Sequence, residues 1–259
     1  MNKVNGLLYG LLSSASFGLI PLFTIPAMQA GMQFESILFY RFLFACLALG
    51  GILLVNGQSF RIKRQDIPSL FLLALLYLMS AVFLFWGYKF MASGVATTIH
   101  FMYPLAVSLA MMFFFHEKKS LLVMLAVLMS LFGAALLSSG ELEVKSGHTI
   151  VGLVAACISV FSYGGYIIGV RTTRAAQINS TVLTCYVMGL GTVLYFIGAL
   201  TTSGLQLVAD GYTWLIILGL ALPATAISNI TLVRAIKYAG PTLLSLIHIS
   251  EPTRPRLIS

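Results

Sequence analysis

The chain consists largely of runs of apolar residues, each close to the length that crosses a bilayer. The hydrocarbon core needs about 20 helical residues. Only 8% of the 259 residues are charged, against about 25% in soluble domains, so this much apolar surface has no place in water. Lipid admits only helices and closed barrels, and the runs lack the alternation of barrel strands. The sequence therefore predicts an all-α integral membrane protein. The predicted spans, first to eighth, are 6–26, 36–55, 69–90, 95–115, 121–138, 149–170, 182–200 and 213–233.

The charged residues behind the net charge of +8 lie mostly in the loops between these spans. With the N-terminus in the cytoplasm, the inside loops contain Lys3, Arg61, Lys63, Arg64, Lys118, Lys119, Arg171, Arg174, Arg234 and Lys237. The outside loops contain Lys89 and Lys145, together with the acids Glu35, Glu141, Glu143 and Asp210. This is a positive-inside distribution. We therefore expect a multi-pass protein of a bacterial inner membrane with a cytoplasmic N-terminus, and no nucleic-acid partner.

One pattern occurs twice along the chain. The third span ends in the segment 86–94, which contains Tyr88-Lys89-Phe90, and the eighth ends in 234–242, which contains Lys237-Tyr238. Each is a helix end with a lysine beside an aromatic residue, followed by small residues. Five crossings separate the two lysines, an odd number, so the copies are inverted relative to each other. Inverted repeats are typical of secondary transporters.

Further motifs in both halves resemble a known family. The first half contains Gly10 through Phe17-Gly18, Tyr40-Arg41-Phe42-Leu43, Tyr88-Lys89-Phe90, Tyr103-Pro104 and Glu117. The second half contains Gly152-Leu153, Phe161-Ser162-Tyr163 and Ala235 through Thr242. In order and spacing these motifs resemble the EamA-type fold of the drug/metabolite transporter superfamily. The resemblance implies ten helices in two inverted five-helix repeats, with both termini cytoplasmic and a central substrate cavity. His116 stands where the family commonly has glycine.

The C-terminal residues depart from that pattern. A ninth apolar span should continue after Leu243, but residues 244–259 contain one histidine, one glutamate, two prolines and two arginines, which hydrocarbon disfavours. The peptide 244–254 is also the translation of a transposon adapter used in preparing sequencing libraries. We expect 1–138 to be the first repeat, 149–243 an incomplete second repeat, and 244–259 a foreign tail. The chain then contains about eight complete helices of ten, and His248, Glu251 and Arg254 have no functional role.

Two spans contain polar groups at a depth where they need partners. Arg41 is a charged side chain well inside the second span, and such charges usually face a cavity or a partner. It is a candidate contact for a substrate carboxylate, and the alternatives are snorkelling to the interface or a tie between helices. Tyr40 beside it is a further candidate. His100 in the fourth span is a candidate proton relay or a helix–helix hydrogen bond, with Tyr103 one turn later and Pro104 after it.

Aromatic residues along the spans are candidates for lining a cavity, although packing and interface anchoring are alternatives. They are Tyr77, Trp86, Tyr163, Tyr166 and Tyr186. Tyr163 is the strongest of these, because it belongs to the repeated motif of the sixth span. Asn229 in the eighth span is either a ligand contact or a bond between helices. Tyr40, Arg41, His100, Tyr103, Tyr163 and Asn229 form the candidate substrate site.

These features favour a secondary transporter that works by alternating access. No span contains Asp or Glu and no His or Cys pair has ligand spacing, so we expect neither an enzyme nor a metal or cofactor site. Cys46, Cys157 and Cys185 lie within spans, which argues against a disulfide framework. A channel would need rings of charges or carbonyls.

By resemblance the substrate is a small exported metabolite, with amino acids as candidates and protons as a candidate coupling ion. A structural or assembly membrane protein is the alternative.

Overall fold

The computed structural model describes residues 3–116, 149–202, 204–208 and 210–239, which form helices joined by short loops and contain no strand. The α-helices are α1 (Lys3–Phe17), α2 (Ile20–Gln29), α3 (Phe34–Val55), α4 (Ile67–Phe90), α5 (Ser93–His100), α6 (Tyr103–Phe114), α7 (Thr149–Thr172), α8 (Ser180–Thr201), α9 (Gly211–Ala221) and α10 (Ser228–Ala239). Within the described ranges, seven segments are long and apolar enough to cross a membrane. They coincide with seven of the predicted spans and confirm the all-α membrane class. The fifth span, 121–138, and the tail, 244–259, lie outside the described residues.

Three of the seven spans are broken rather than continuous helices. The first span is α1 followed by α2, the fourth is α5 followed by α6, and the eighth joins α9 to α10 through the π-helical turn Leu222–Ile227. A proline lies at each irregularity: Pro21 and Pro104 are the second residues of the segments after the first two breaks, and Pro223 is the second residue of the π-helical turn. Proline lacks a backbone N–H and clashes with the preceding turn, so a helix stops or deforms before it.

Side chains cap two helices of the second half. Asn179 accepts a hydrogen bond from the backbone N–H of Thr181 at the start of α8. Asp210 accepts one from the N–H of Thr213 at 2.9 Å and another from its hydroxyl at 2.7 Å, at the start of α9. These bonds stabilise the ionised carboxylate, and they lower the pKa of Asp210 below its ordinary value.

The packing of the spans follows a two-fold pattern. Extensive contacts join the first span to the eighth, the second to the seventh, and the third to the sixth. In two inverted five-helix repeats, the first, second and third spans correspond to the sixth, seventh and eighth. Exchange of the repeats then converts the first–eighth contact into the sixth–third contact and leaves the second–seventh contact unchanged. A pseudo-two-fold axis therefore passes between the second and seventh spans.

The two lysines that revealed the repeat occupy matching places. Lys89, at the end of the third span, lies over the ring of Phe34 at the start of the second span, with Nζ 4.3 Å from the ring centroid. Lys237, near the end of the eighth span, donates to the carbonyl of Ile178, two residues before the seventh span begins. In each repeat the lysine therefore connects equivalent helix ends, by a cation–π contact in one and a hydrogen bond in the other.

His116 has a backbone conformation that explains the glycine expected there. Its φ is +53°, in the left-handed region that favours glycine. A histidine adopts this conformation at a steric cost that glycine avoids. The glycine common in the family at this position therefore fits the left-handed backbone at the end of α6.

Gly191 lies where the second, third and seventh spans meet. A Cβ atom at this position would be 2.3 Å from Cδ1 of Phe42 and 3.1 Å from Cδ2 of Leu78. The ring of Phe42 is itself packed edge-on against Tyr77 and Tyr195, with centroids 5.6 and 4.9 Å away. These two rings restrict its movement away from Gly191. The close approach of the two repeats at their axis depends on this glycine.

We expect Gly191→Ala to destabilise the folded protein by about 1–3 kcal/mol, because the added methyl overpacks the contact with Phe42. Gly198→Ala is the matched control: it lies on the same helix, and a Cβ there meets no atom within 4 Å. The free energy of unfolding of each variant is measured in mixed micelles. Equal stability of the two variants would contradict the packing at the axis.

Candidate functional site

A cavity lies among the first, second, third, fourth and sixth spans. Its lining includes residues from both sides of the break in the first span, and His100 and Phe101 at the break in the fourth. The lining residues are Phe17, Ile20, Pro21, Arg41, Tyr77, Ser80, Ala81, Leu84, Phe85, Tyr88, Thr97, His100, Phe101 and Tyr163. The space free of atoms is about 430 Å³ counted to its open side, and only a small part of it is wide enough for a water molecule. In this conformation the cavity has room for water, and a metabolite requires it to widen.

Arg41 is buried at this cavity, with 3% of its surface exposed. Its Nε donates to the hydroxyl of Thr225 at 2.6 Å, and that hydroxyl donates to the carbonyl of Leu220 at 2.7 Å. Thr225 lies in the π-helical turn of the eighth span. Arg41 thus ties the second span to the eighth and does not snorkel to the surface.

The guanidinium of Arg41 has no counter-ion in the described part of the chain. Among those residues the ion pair is Arg174 with Asp66, a contact between loops. The bond to Thr225 uses Nε alone, and the guanidinium carbon lies 5.8 Å from the ring centroid of Phe42. A buried positive charge without a carboxylate is costly. The cavity beside it is therefore electrostatically suited to an anion.

His100 is 1% exposed and is fixed by the sixth span. Its Nδ1 lies 2.6 Å from Oγ of Ser159, which lies 3.5 Å from Oγ of Ser80. Its Nε2 is buried without a hydrogen-bond partner among the described residues. The helix–helix bond predicted as an alternative for His100 exists through Nδ1, while Nε2 remains available for a ligand or a water molecule.

A cluster of tyrosine rings lies at one side of the cavity, and two of its members line it. Tyr163 and Tyr77 line it, with ring centroids 6.0 Å apart. Tyr103 packs edge-on behind Tyr163, with centroids 4.7 Å apart, and is not among the lining residues. Tyr166 is buried against Tyr77 at 5.1 Å. Tyr163 lines the cavity, and its hydroxyl is buried without a hydrogen-bond partner among the described residues.

Three further candidates do not line the cavity: Trp86, Tyr186 and Asn229. Trp86 and Tyr186 are each 37% exposed and belong to the outer surface of the helices. Asn229 is fully buried behind the cavity and is not among its lining residues. Its Nδ2 donates to the hydroxyl of Tyr77 at 2.8 Å and to the carbonyl of Thr225 at 2.9 Å. This geometry is a bond between the third and eighth spans, and it holds Tyr77 in position beside the cavity.

Tyr40 lies away from the cavity in a contact that we call the Gln206 latch. Its hydroxyl donates to the carbonyl of Gln206 at 3.0 Å, in the loop between the seventh and eighth spans. The N–H of Gln206 donates to Ser36, and the side-chain oxygen of Gln206 accepts from the N–H of Gln33. The loop of the second repeat is thereby held onto the start of the second span.

A matching contact, which we call the Phe60 latch, lies at the opposite ends of the second and seventh spans. The hydroxyl of Tyr186 donates to the carbonyl of Phe60 at 2.9 Å, and Asn179 donates to the side chain of Gln58 at 3.4 Å. Tyr40 and Tyr186 are each the seventh residue of a 22-residue helix. The two latches are therefore the same contact made once by each repeat, at opposite ends of the second and seventh spans.

Sequence reasoning missed the residues that position the polar groups of the cavity. Ser159 and Thr225 hold His100 and Arg41, and neither stands out in an apolar run. Pro223 was a usable signal, because a proline inside a span marks a deformed turn. The sequence does not indicate which side chain bonds to that turn, and the structure shows that it is Arg41. No group of three metal-ligating side chains occurs in the described ranges.

Comparisons with known proteins agree with this architecture. A family described as the EamA-like transporter family matches residues 4–139 and 150–253, and this confirms the resemblance seen in the sequence motifs. A solved structure described only as the crystal structure of a protein has a TM-score of 0.82 and 18% identity, over 96% of this chain and 84% of that one. At this identity the likeness concerns the fold alone. No curated protein matches the chain.

A double-mutant cycle of Tyr77→Phe and Asn229→Ala tests whether Asn229 acts as a bond between helices. We expect a coupling energy of about 0.6 kcal/mol, and at most about 1.7 kcal/mol, as for other hydrogen bonds between membrane helices. Unfolding in mixed micelles gives the stability of each variant. The pair Tyr77→Phe and Tyr186→Phe is the control, since Tyr186 bonds to Phe60 instead. Zero coupling in the first pair would contradict the assignment.

Proposed function

We propose that this chain, which belongs to the EamA-like transporter family, is a secondary transporter that moves a small metabolite across the membrane by alternating access. The observation that carries the proposal is the position of the cavity between two repeat-related latches. Arg41, His100 and Tyr163 line the cavity, while the Gln206 latch and the Phe60 latch hold opposite ends of the second and seventh spans. Release of one latch at a time would expose the cavity to one side and then to the other.

Broken helices at the cavity support this proposal. Transporters commonly form their substrate sites from discontinuous helices, whose free backbone groups and flexible turns face the substrate. The first and fourth spans break at the cavity, at Phe17 and His100, and the π-helical turn of the eighth span holds Arg41. Irregular backbone at membrane depth is tolerated where it is buried or lines a cavity.

The proposed orientation has a cytoplasmic N-terminus in a bacterial inner membrane, following the positive-inside distribution of lysine and arginine. The Gln206 latch then faces outside and the Phe60 latch faces the cytoplasm. Because most lining residues come from the outer halves of the first four spans, the cavity belongs to the outer half of the membrane. We propose export as the direction and a metabolite such as an amino acid as the substrate.

Two candidate functions compete with transport. A structural or assembly protein would need the fold but neither a polar cavity nor latches that open. A membrane enzyme would need a nucleophile with a base, or paired acids; among the described residues the cavity contains a histidine and an arginine without a carboxylate. Flux through proteoliposomes containing the protein, tested with a panel of metabolites, distinguishes transport from both. Absence of flux for every solute would favour the structural alternative.

Disulfide cross-links across each latch test alternating access. In a background with Cys46, Cys157 and Cys185 changed to serine, one variant carries Gln33→Cys with Gln206→Cys. The other variant carries Gln58→Cys with Asn179→Cys. We expect oxidation to reduce the flux of either variant to the level of empty liposomes and reduction to restore it, because the cycle requires each end to open in turn.

The four single-cysteine variants are controls for this experiment, since they react with the oxidant but cannot form the cross-link. Mass spectrometry after proteolysis establishes that the disulfide has formed. Unchanged flux with either latch cross-linked would contradict opening at that end, even if the protein transports.

Proton coupling through His100 is a further part of the proposal. His100 lines the cavity, with Nδ1 bound to Ser159 and Nε2 without a partner among the described residues, so its imidazole could exchange a proton with a substrate or with water. We expect His100→Ala to abolish the response of flux to an imposed pH gradient. His100→Gln, which keeps a hydrogen bond to Ser159 but cannot titrate, is expected to do the same. An unchanged pH response in His100→Ala would remove the relay.

A further inference from the structure

Three residues that line the cavity carry polar atoms without a hydrogen-bond partner in the described part of the chain. The bond of Arg41 to Thr225 uses Nε, and its Nη nitrogens form no hydrogen bond with a described residue. Nε2 of His100 and the hydroxyl of Tyr163 are buried without a partner. A buried polar group without a hydrogen bond is unfavourable, so a cavity lined by these three residues is suited to a ligand that satisfies them.

The chemistry of these groups selects a small oxyanion. The guanidinium only donates, in a planar fork that matches a carboxylate. A tyrosine hydroxyl donates readily. The hydroxyl of Ser159 can donate to Nδ1 of His100, and in that tautomer Nε2 carries a proton and also donates. A carboxylate has two oxygens that accept about four hydrogen bonds and carries the charge that Arg41 lacks.

The remaining wall of the cavity is largely aromatic and apolar. Phe17, Phe85, Tyr88 and Phe101 surround the polar groups, and Phe17 packs against both Tyr163 and His100, with centroids 5.5 and 6.2 Å away. Flat rings of this kind favour a planar apolar body by offset or edge-on stacking. A cation that has no carboxylate of its own, by contrast, finds no counter-charge among the described lining residues and is repelled by Arg41.

We propose that the cavity binds small organic carboxylates with a flat, apolar body, and that Arg41, His100 and Tyr163 hold the carboxylate. The inference rests on the proposed function, since it names the substrate class of the same cavity. Neutral and cationic analogues of the same shape are excluded by the unsatisfied donors and by the charge of Arg41.

Binding of radiolabelled 2-naphthoate to the purified full chain in a non-ionic detergent tests this proposal, with two competitors of the same ring. We expect unlabelled 2-naphthoate to displace the label and 2-naphthamide and 2-naphthylmethylamine to be at least about tenfold weaker, because loss of a charge-assisted hydrogen bond weakens binding about tenfold to a hundredfold. Equal competition by the amide or the amine would overturn the proposal.

Substitutions at the cavity locate the binding. Arg41→Gln is expected to reduce binding to the background of empty micelles, and Arg61→Gln, which changes an exposed arginine of the loop, to leave it unchanged. If Arg41→Gln does not fold, Arg41→Lys and Tyr163→Phe give the same information. We expect Arg41→Lys to weaken binding by about tenfold, because it loses the fork but keeps the charge. The expected loss for Tyr163→Phe is about twofold to tenfold. Full binding in both variants would overturn the proposal.

Flux measurements separate this inference from the proposed function. Binding of 2-naphthoate that depends on Arg41, without flux of any solute, would support the site and contradict transport. Flux of amines or neutral solutes that does not depend on Arg41 and is not inhibited by 2-naphthoate would support transport and overturn the carboxylate site. Flux of carboxylates that Arg41→Gln abolishes would support both.

Discussion

The structure depends on the absence of hydrogen-bond partners in hydrocarbon. Every backbone and side-chain polar group at membrane depth must be satisfied within the protein or in a cavity. Prolines interrupt three spans, and the breaks of the first and fourth spans lie at the cavity while that of the eighth holds Arg41. The same interior contains the buried serine and threonine partners of His100 and Arg41. Deformed backbone and polar side chains thus share one region because neither can face lipid.

Because the two repeats are inverted, equivalent contacts occur at both ends of the helix bundle. Lys89 and Lys237, and Tyr40 and Tyr186, make equivalent contacts at opposite ends of the bundle. Each latch rests on a few hydrogen bonds in a loop accessible to water, where such bonds are individually worth about 0.5–1.5 kcal/mol. The axis between the second and seventh spans is close-packed around Gly191. Motion of the ends about a rigid axis is the physical basis of the proposed cycle.

Some of the site was predictable from the sequence and some was not. Arg41 and His100 were recognisable because charged or titratable side chains are rare within apolar runs, and both line the cavity. Tyr163 lines it as well, but Tyr103 and Asn229 lie behind it and Tyr40 belongs to a latch. A tyrosine or an asparagine inside a span has no signature that separates cavity, packing and latch. Their roles depend on the helix that faces them, and sequence spacing within one span does not contain that information.

The sequence by itself determined the class and the positions of the seven spans that the structure describes, and it predicted the inverted repeat. Those features arise from the length of apolar runs, from proline and glycine, and from local motifs such as Lys89 with Phe90, all of which act within one segment of chain. Tertiary structure decided which polar groups meet. The tie of Arg41 to Thr225 and the bond of His100 to Ser159 join residues far apart in the chain. Such pairs form because packing brings helix faces together, and the rotation of each helix is set by all of its neighbours at once.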